Sequence, residues 1–98
     1  MRTLPKPGPL VLHLKWEYWE AIRDGRKLEE FRERTPYWEK RLRGRVFSEI
    51  ILHWAYPERG DETWTLHRKW KGLRETDIDT PVYGGLVPVF AIDVSEAA

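Results

Sequence analysis

The stretch at residues 25–32, Gly-Arg-Lys-Leu-Glu-Glu-Phe-Arg, restricts the fold more than any other part of the chain. Gly25 follows a segment with apolar side chains at helical spacing, and it stands where a left-handed C-terminal cap belongs. Thr35 and Pro36 come shortly after the stretch and have the residue types of a helix N-cap and a first-turn proline. The chain therefore has room for one short strand between the ends of two helices.

A period of two along that strand predicts Glu30 and Arg32 on one face, with Lys27 at the mouth of the row. Arg34 lies on the same face as Glu30 and Arg32, and Glu29 and Phe31 lie on the opposite face. A carboxylate between two cations can hold a polar ligand or move a proton, because each charge biases the ionisation of its neighbours. The alternative is a ladder of ion pairs on a solvated face.

The pattern Gly-x-Lys-x-x-Glu-x-Arg, formed by Gly25, Lys27, Glu30 and Arg32, resembles the signature of the ASCH domain, which is related to PUA RNA-binding domains. The similarity extends to the run Leu-His-Leu-Lys before an aromatic helix, and to Pro-Tyr-Trp before a basic helix. Together these segments cover the first half of the chain. The resemblance implies a PUA-like β-barrel with helices at its opening and a cleft lined by the signature residues.

The remaining sequence predicts short strands joined by turns. We expect strands at 10–15, 27–34, 46–56, 63–70 and 87–94, helices at 16–24 and 37–43, an extended lead-in at 1–9 and a loop at 73–86. With the resemblance, this order predicts an α+β fold: a small PUA-like mixed β-barrel of about five strands with two short helices at its opening. An open α+β sheet of the same strands is the alternative. We expect one domain, at 1–98.

The composition argues against several classes of site. The chain has no cysteine, so neither a disulfide nor a thiolate zinc site can form, and His13, His53 and His67 lack metal-ligand spacing. We expect no metal and no cofactor. No apolar run approaches the roughly 20 residues of a membrane span, so we expect a cytoplasmic protein without a membrane partner. The lack of asparagine and glutamine, with 34% charged residues, predicts a thermophilic source.

Charge and aromatic side chains are distributed unevenly. Residues 13–45 carry ten basic and seven acidic side chains, a net charge of +3, whereas residues 46–98 carry five basic and nine acidic, a net charge of −4. A basic face beside aromatic rings fits a partner with phosphates and unstacked bases, although a solvated helix end would also explain the basic run at 40–45. We predict eight ligand-binding residues: Lys15, Lys27, Glu30, Arg32, Tyr37, Trp38, Arg41 and Tyr56.

The sequence is compatible with three functions. In the first, the protein binds RNA or a modified nucleoside or nucleobase: Lys15, Arg32 and Arg41 would meet phosphate or base oxygens, and Glu30 would accept a hydrogen bond from an exocyclic amine. The second follows from the resemblance, since some ASCH proteins are amidohydrolases that remove an acyl group from the exocyclic amine of cytidine, and others are ribonucleases. It implies Lys27 and Glu30 as catalytic residues. The third is a structural or interaction domain without a ligand site.

The sequence departs from the amidohydrolase pattern at two points. Those enzymes have a threonine three positions after the signature lysine, where this chain has Glu30. They also take a glutamate from a later loop, and the sequence does not distinguish among Glu75, Asp77 and Asp79 for that role. Neither the ligand nor the oligomeric state follows from the sequence.

Overall fold

The computed structural model describes residues 6–81 and 84–98, and in these it contains two helices and six strands. In chain order they are β1 (Leu10–Leu14), α1 (Trp16–Arg23), β2 (Glu29–Glu33), α2 (Pro36–Leu42), β3 (Ile50–Trp54), β4 (Thr65–Arg68), β5 (Leu73–Thr80) and β6 (Gly85–Asp93). The predicted α+β class is confirmed. The strands form two three-stranded sheets, and no closed barrel is found among the described residues. The predicted lead-in at 1–9 lies partly outside those residues.

The first sheet has the strand order β1-β3-β4. β1 and β3 are parallel, with Leu12 opposite Leu52, and β4 returns antiparallel to β3. Leu10, Leu12 and Leu14 alternate along β1 and are all buried, so the strand turns a leucine face toward the core. β3 is shorter than the predicted strand at 46–56, since its regular pairing begins only at Ile50.

The second sheet has the order β2-β6-β5, and both of its strand pairs are antiparallel. The prediction of a loop at 73–86 was wrong, because Leu73–Thr80 forms a full strand that pairs with β6 from Leu73 opposite Ile92 to Thr80 opposite Gly85. Its outward positions hold Glu75, Asp77 and Asp79, residue types that are depleted in strands, so the alternation is easily overlooked.

The two sheets share one hydrophobic core. It contains the inward leucines of β1 and β3, Trp19 and Ile22 of α1, Leu42 of α2, and Phe90 and Ile92 of β6. Trp19 also donates a hydrogen bond from its indole nitrogen to the Leu52 carbonyl at 3.1 Å, which satisfies the one polar atom of a buried side chain. Helix α1 is thereby fixed to the first sheet, and the chain leaves it toward β2.

The helix boundaries that flank β2 form as the sequence predicted. Gly25 has φ 76° and the Arg26 amide donates to the Ala21 carbonyl at 2.8 Å, which together make a Schellman-type end for α1. At the start of α2, the Thr35 hydroxyl accepts from the Trp38 amide at 3.3 Å, with Pro36 in the first turn. β2 is therefore held at both ends. Neither described helix is long and apolar enough to cross a membrane.

Candidate functional site

A cleft of about 580 Å³ opens beside β2, between the end of β1 and the two helices. Its polar lining comes mainly from β2 and the end of β1: His13, Lys15, Lys27, Glu30, Arg32, Glu33 and Thr80. Its apolar lining is largely aromatic: Leu14, Tyr18, Phe31, Trp38 and Ile78. The cleft therefore combines a charged floor with flat apolar walls.

The floor of the cleft is a carboxylate held between two cations. Glu30 is only 6% exposed, and it lies opposite Ile92 in the sheet. Lys27 donates from Nζ to one Glu30 oxygen at 2.7 Å, and Arg32 donates from a terminal guanidinium nitrogen to the other at 2.9 Å. The predicted row of Lys27, Glu30 and Arg32 is thus brought together. Each carboxylate oxygen still has a free lone pair, so it can accept a further hydrogen bond.

The aromatic walls contact these cations. Lys27 Nζ lies 5.1 Å from the ring centroid of Tyr18 and 5.2 Å from that of Phe31, and the Arg32 guanidinium lies 5.1 Å from the Trp38 ring. These are cation–π distances, at which the ring faces attract positive charge. Both cations are therefore positioned on two sides, by the carboxylate and by rings. The alternation had placed Phe31 on the opposite face, yet it also contributes to the cleft.

Arg32 and Thr80 each carry a buried polar atom, Nε and Oγ1, that has no hydrogen-bond partner within the described residues. Both residues line the cleft. The terminal nitrogen of Arg32 is occupied, because it donates to Glu30 and also to the His13 carbonyl at 3.1 Å. An unpaired buried polar group costs roughly 1–3 kcal/mol, so two residues that line the cleft each carry an unsatisfied polar atom.

Five of the eight predicted ligand-binding residues line this cleft: Lys15, Lys27, Glu30, Arg32 and Trp38. Tyr37 and Arg41 lie outside it, in a second concavity. Adjacent helical residues are rotated by about 100° from each other, and here Trp38 lines the cleft while Tyr37 is turned away from it. Tyr56 also lies outside the cleft and is 82% exposed. β3 ends at Trp54, and the chain turns at Ala55, which has φ 55°.

The structure places His13 in the cleft wall, although it is not among the predicted ligand-binding residues. Its Nδ1 lies 2.7 Å from the Ala55 carbonyl, which can only accept, so Nδ1 carries a proton. Its ring stacks on that of Tyr56 at 4.2 Å and on that of His53 at 5.4 Å. Burial lowers the pKa of His53, and repulsion from His13 lowers it further. No sequence signal connected these three rings, because strand ends rather than spacing bring them together.

Thr80 and Ile78 of β5 line the cleft, although sequence analysis placed them in a loop. The signal that could have found them is the alternation Thr76, Ile78, Thr80 against acidic neighbours. The acidic neighbours themselves, Glu75, Asp77 and Asp79, do not line the cleft, and the first two pair instead with arginines outside it. The second carboxylate of the cleft is Glu33, which β2 supplies.

A groove of about 570 Å³ lies on the other side of Trp38. Its polar side chains are all basic or phenolic, and they come from α2 and the segment after it: Tyr37, Lys40, Arg41 and Arg45. The remaining lining residues are apolar: Pro9, Leu10, Val11, Trp38 and Phe47. Trp38 is common to the groove and the cleft, so the two concavities adjoin. Within the described residues, no group of three or more histidines or carboxylates is placed to hold a metal ion.

The sequence matches no protein-family model, and searches of curated proteins and of solved structures found no match. The resemblance to the ASCH domain therefore depends on the motif residues Gly25, Lys27, Glu30 and Arg32 and on the segments that flank them.

Proposed function

We propose that the protein binds a nucleobase, presented by RNA or by a modified nucleoside, in the cleft beside β2. The observation that supports this most is the buried Glu30 carboxylate, fixed by Lys27 and Arg32 at the floor of an aromatic cleft. A flat ring with polar edges matches these walls and this floor better than a lipid or a peptide.

Each part of the cleft has a role in this proposal. Glu30 accepts a hydrogen bond from an exocyclic amine, through a lone pair that Lys27 and Arg32 leave free. Trp38, Tyr18 and Phe31 contact the faces of the ring. Lys15 is exposed and has no ion-pair partner among the described residues, so its ammonium group is available to a phosphate.

We also propose membership of the ASCH family and a PUA-like barrel, to which each three-stranded sheet contributes one half. The motif residues support the first part, since Gly25 ends α1 and Lys27, Glu30 and Arg32 converge on one cleft. The single core shared by both sheets supports the second. An experimental structure in which the sheets pack as an open sandwich would contradict the barrel.

Binding is tested by titration calorimetry with a panel of unmodified and modified nucleosides and short RNAs. Thr80→Val keeps the shape of the side chain and removes a hydroxyl that has no described partner, so we expect stability to be unchanged or higher. If that hydroxyl contacts the ligand, affinity falls by about 2- to 12-fold, the equivalent of roughly 0.5–1.5 kcal/mol. Lys15→Ala should weaken a phosphate-bearing ligand, whereas Arg59→Ala, at an exposed cation outside the cleft, should not. A panel without any binder would favour the interaction-domain alternative.

A second candidate is an amidohydrolase that acts on an acylated exocyclic amine. The observation in its favour is that the cleft contains a hydroxyl, on Thr80, together with the Lys27–Glu30 pair. Against it, Lys27 Nζ donates to the Glu30 carboxylate at 2.7 Å and faces two aromatic rings, whereas a base or nucleophile needs an amine lone pair directed at the substrate. Incubation with an N-acylated cytidine, monitored by absorbance, distinguishes the two candidates. Turnover that is abolished by Lys27→Met would support the enzyme, and binding without turnover would support the binding module.

A further inference from the structure

Among the described residues, the groove on the far side of Trp38 is lined by three cations, Lys40, Arg41 and Arg45, and by no carboxylate. None of the three forms an ion pair with a described residue, although most other basic side chains in the described part of the chain do. Arg43, which lies between them in sequence, is paired with both Glu39 and Glu75. The positive charge of the groove is therefore uncompensated at a surface where neighbouring cations are neutralised.

A continuous series of contacts connects the groove to the floor of the cleft. Arg32, which pairs with Glu30, lies over the Trp38 ring at 5.1 Å. Trp38 meets the ring of Tyr37 edge to face at 5.1 Å, and the Arg41 guanidinium covers Tyr37 at 4.5 Å. A ligand that fills the cleft and extends past Trp38 would next meet an exposed phenol ring and then cations.

We propose that the groove holds the phosphates of a single-stranded nucleic acid whose base occupies the cleft. This inference rests on the function proposed above, and it specifies the ligand as a strand rather than a free nucleoside. Single-strand-binding proteins combine a positive path for the backbone with aromatic rings for the bases, and both are present here. A duplex fits less well, since its stacked and paired bases cannot enter a cleft.

The test is fluorescence anisotropy with a labelled RNA octamer and a DNA octamer of the same sequence, between 50 mM and 200 mM salt. Each phosphate contact to a single strand contributes about 0.7 to the slope of log affinity against log salt. We expect the slope for the variant Lys40→Ala/Arg41→Ala to be less steep by about 1.4. A fourfold increase in salt should then reduce the affinity of the wild type about sevenfold more than that of the variant. Arg59→Ala is the matched control, because Arg59 is exposed and lies outside both concavities, and it should leave the slope unchanged.

The outcomes separate this inference from the proposed function. If octamers bind no more tightly than a nucleoside and their affinity does not depend on salt, the groove does not bind phosphates. That result would refute this inference without contradicting base binding in the cleft. A loss of slope in the groove variant with no effect of Thr80→Val or Lys15→Ala would support the groove and count against the cleft. Equal binding of poly-glutamate would overturn the groove as a nucleic-acid site, because it would identify a general anion surface.

Discussion

Glu30→Gln tests the charged row most directly, because it removes a buried charge with little change in shape. Removing one partner of a fully buried ion pair costs about 3–5 kcal/mol, chiefly because the other charge is left unpaired. Here the side chains of Lys27 and Arg32 are 21% and 20% exposed, so both cations keep some contact with water. We therefore expect a loss of about 2–3 kcal/mol, below the fully buried range.

For a domain of this size, that loss corresponds to a fall in Tm of roughly 8–24 °C. Urea unfolding followed by tryptophan fluorescence measures the free energy of unfolding. Glu58→Gln is the control, since Glu58 is exposed on a loop and forms no ion pair among the described residues. It should shift the free energy of unfolding by less than about 0.5 kcal/mol.

A double-mutant cycle isolates the contact with Lys27. Lys27→Met alone leaves Glu30 paired with Arg32, so it should cost less than Glu30→Gln does. In Lys27→Met/Glu30→Gln one of the two stranded cations is gone, and the cost should be smaller than the sum of the single variants by at least about 0.5 kcal/mol. A Glu30→Gln protein as stable as the wild type would refute the buried ion pair and, with it, the floor of the cleft.

Two further predictions concern a helix end and two histidines. Gly25→Ala forces a side chain into a left-handed conformation and should cost about 1–2 kcal/mol in urea unfolding, whereas Gly8→Ala should change little. The hydrogen bond to Glu49 raises the pKa of His67, so an NMR titration should find a pKa above 6.5 for this imidazole. The interaction of protonated His67 with Glu49 therefore stabilises the fold below pH 6.5, and this stabilisation is lost as pH rises through the folded-state pKa. The pKa of His53 is lowered, chiefly by burial, so NMR should find this residue titrating below 6.5. Because the unfolded chain then binds the proton more readily, the free energy of unfolding should decrease as pH falls from 6.5 toward the folded-state pKa. Titration of both histidines at one pH would contradict this.

The parts of the fold that were predicted correctly depend on local interactions. The end of α1, the start of α2 and the convergence of Lys27, Glu30 and Arg32 follow from a glycine, a capping threonine and a period of two. These constraints act within a few residues, so they can be predicted from the local sequence. β5 was missed because its acidic outward positions oppose strand propensity, and its pairing with β6 along the whole strand outweighs that preference.

The predicted binding residues that lie elsewhere were misplaced for a different reason. Tyr37 and Arg41 belong to the helix that borders the cleft, but the rotation of that helix about its axis is set by Leu42, which packs into the core. The position of Tyr56 is set by the left-handed conformation of Ala55, and alanine rarely adopts such a conformation, so the residue type does not predict it. In both cases the deciding contact is distant in sequence, so spacing alone cannot place the side chain.

Glu30 is the one charged side chain that is buried in the described part of the chain, and its position is informative for that reason. Well-packed apolar residues at such a position are often as stable as an ion pair or more so, because two charges must lose their water to form it. Stability therefore gives no reason for a carboxylate opposite Ile92, at the margin of an apolar core. The proposed ligand would give a reason, since Glu30 lines a cleft to which Arg32 and Thr80, each with an unpaired buried polar atom, also contribute. Local departures from the best packing are expected where a protein binds or reacts, and in this chain they coincide at one cleft.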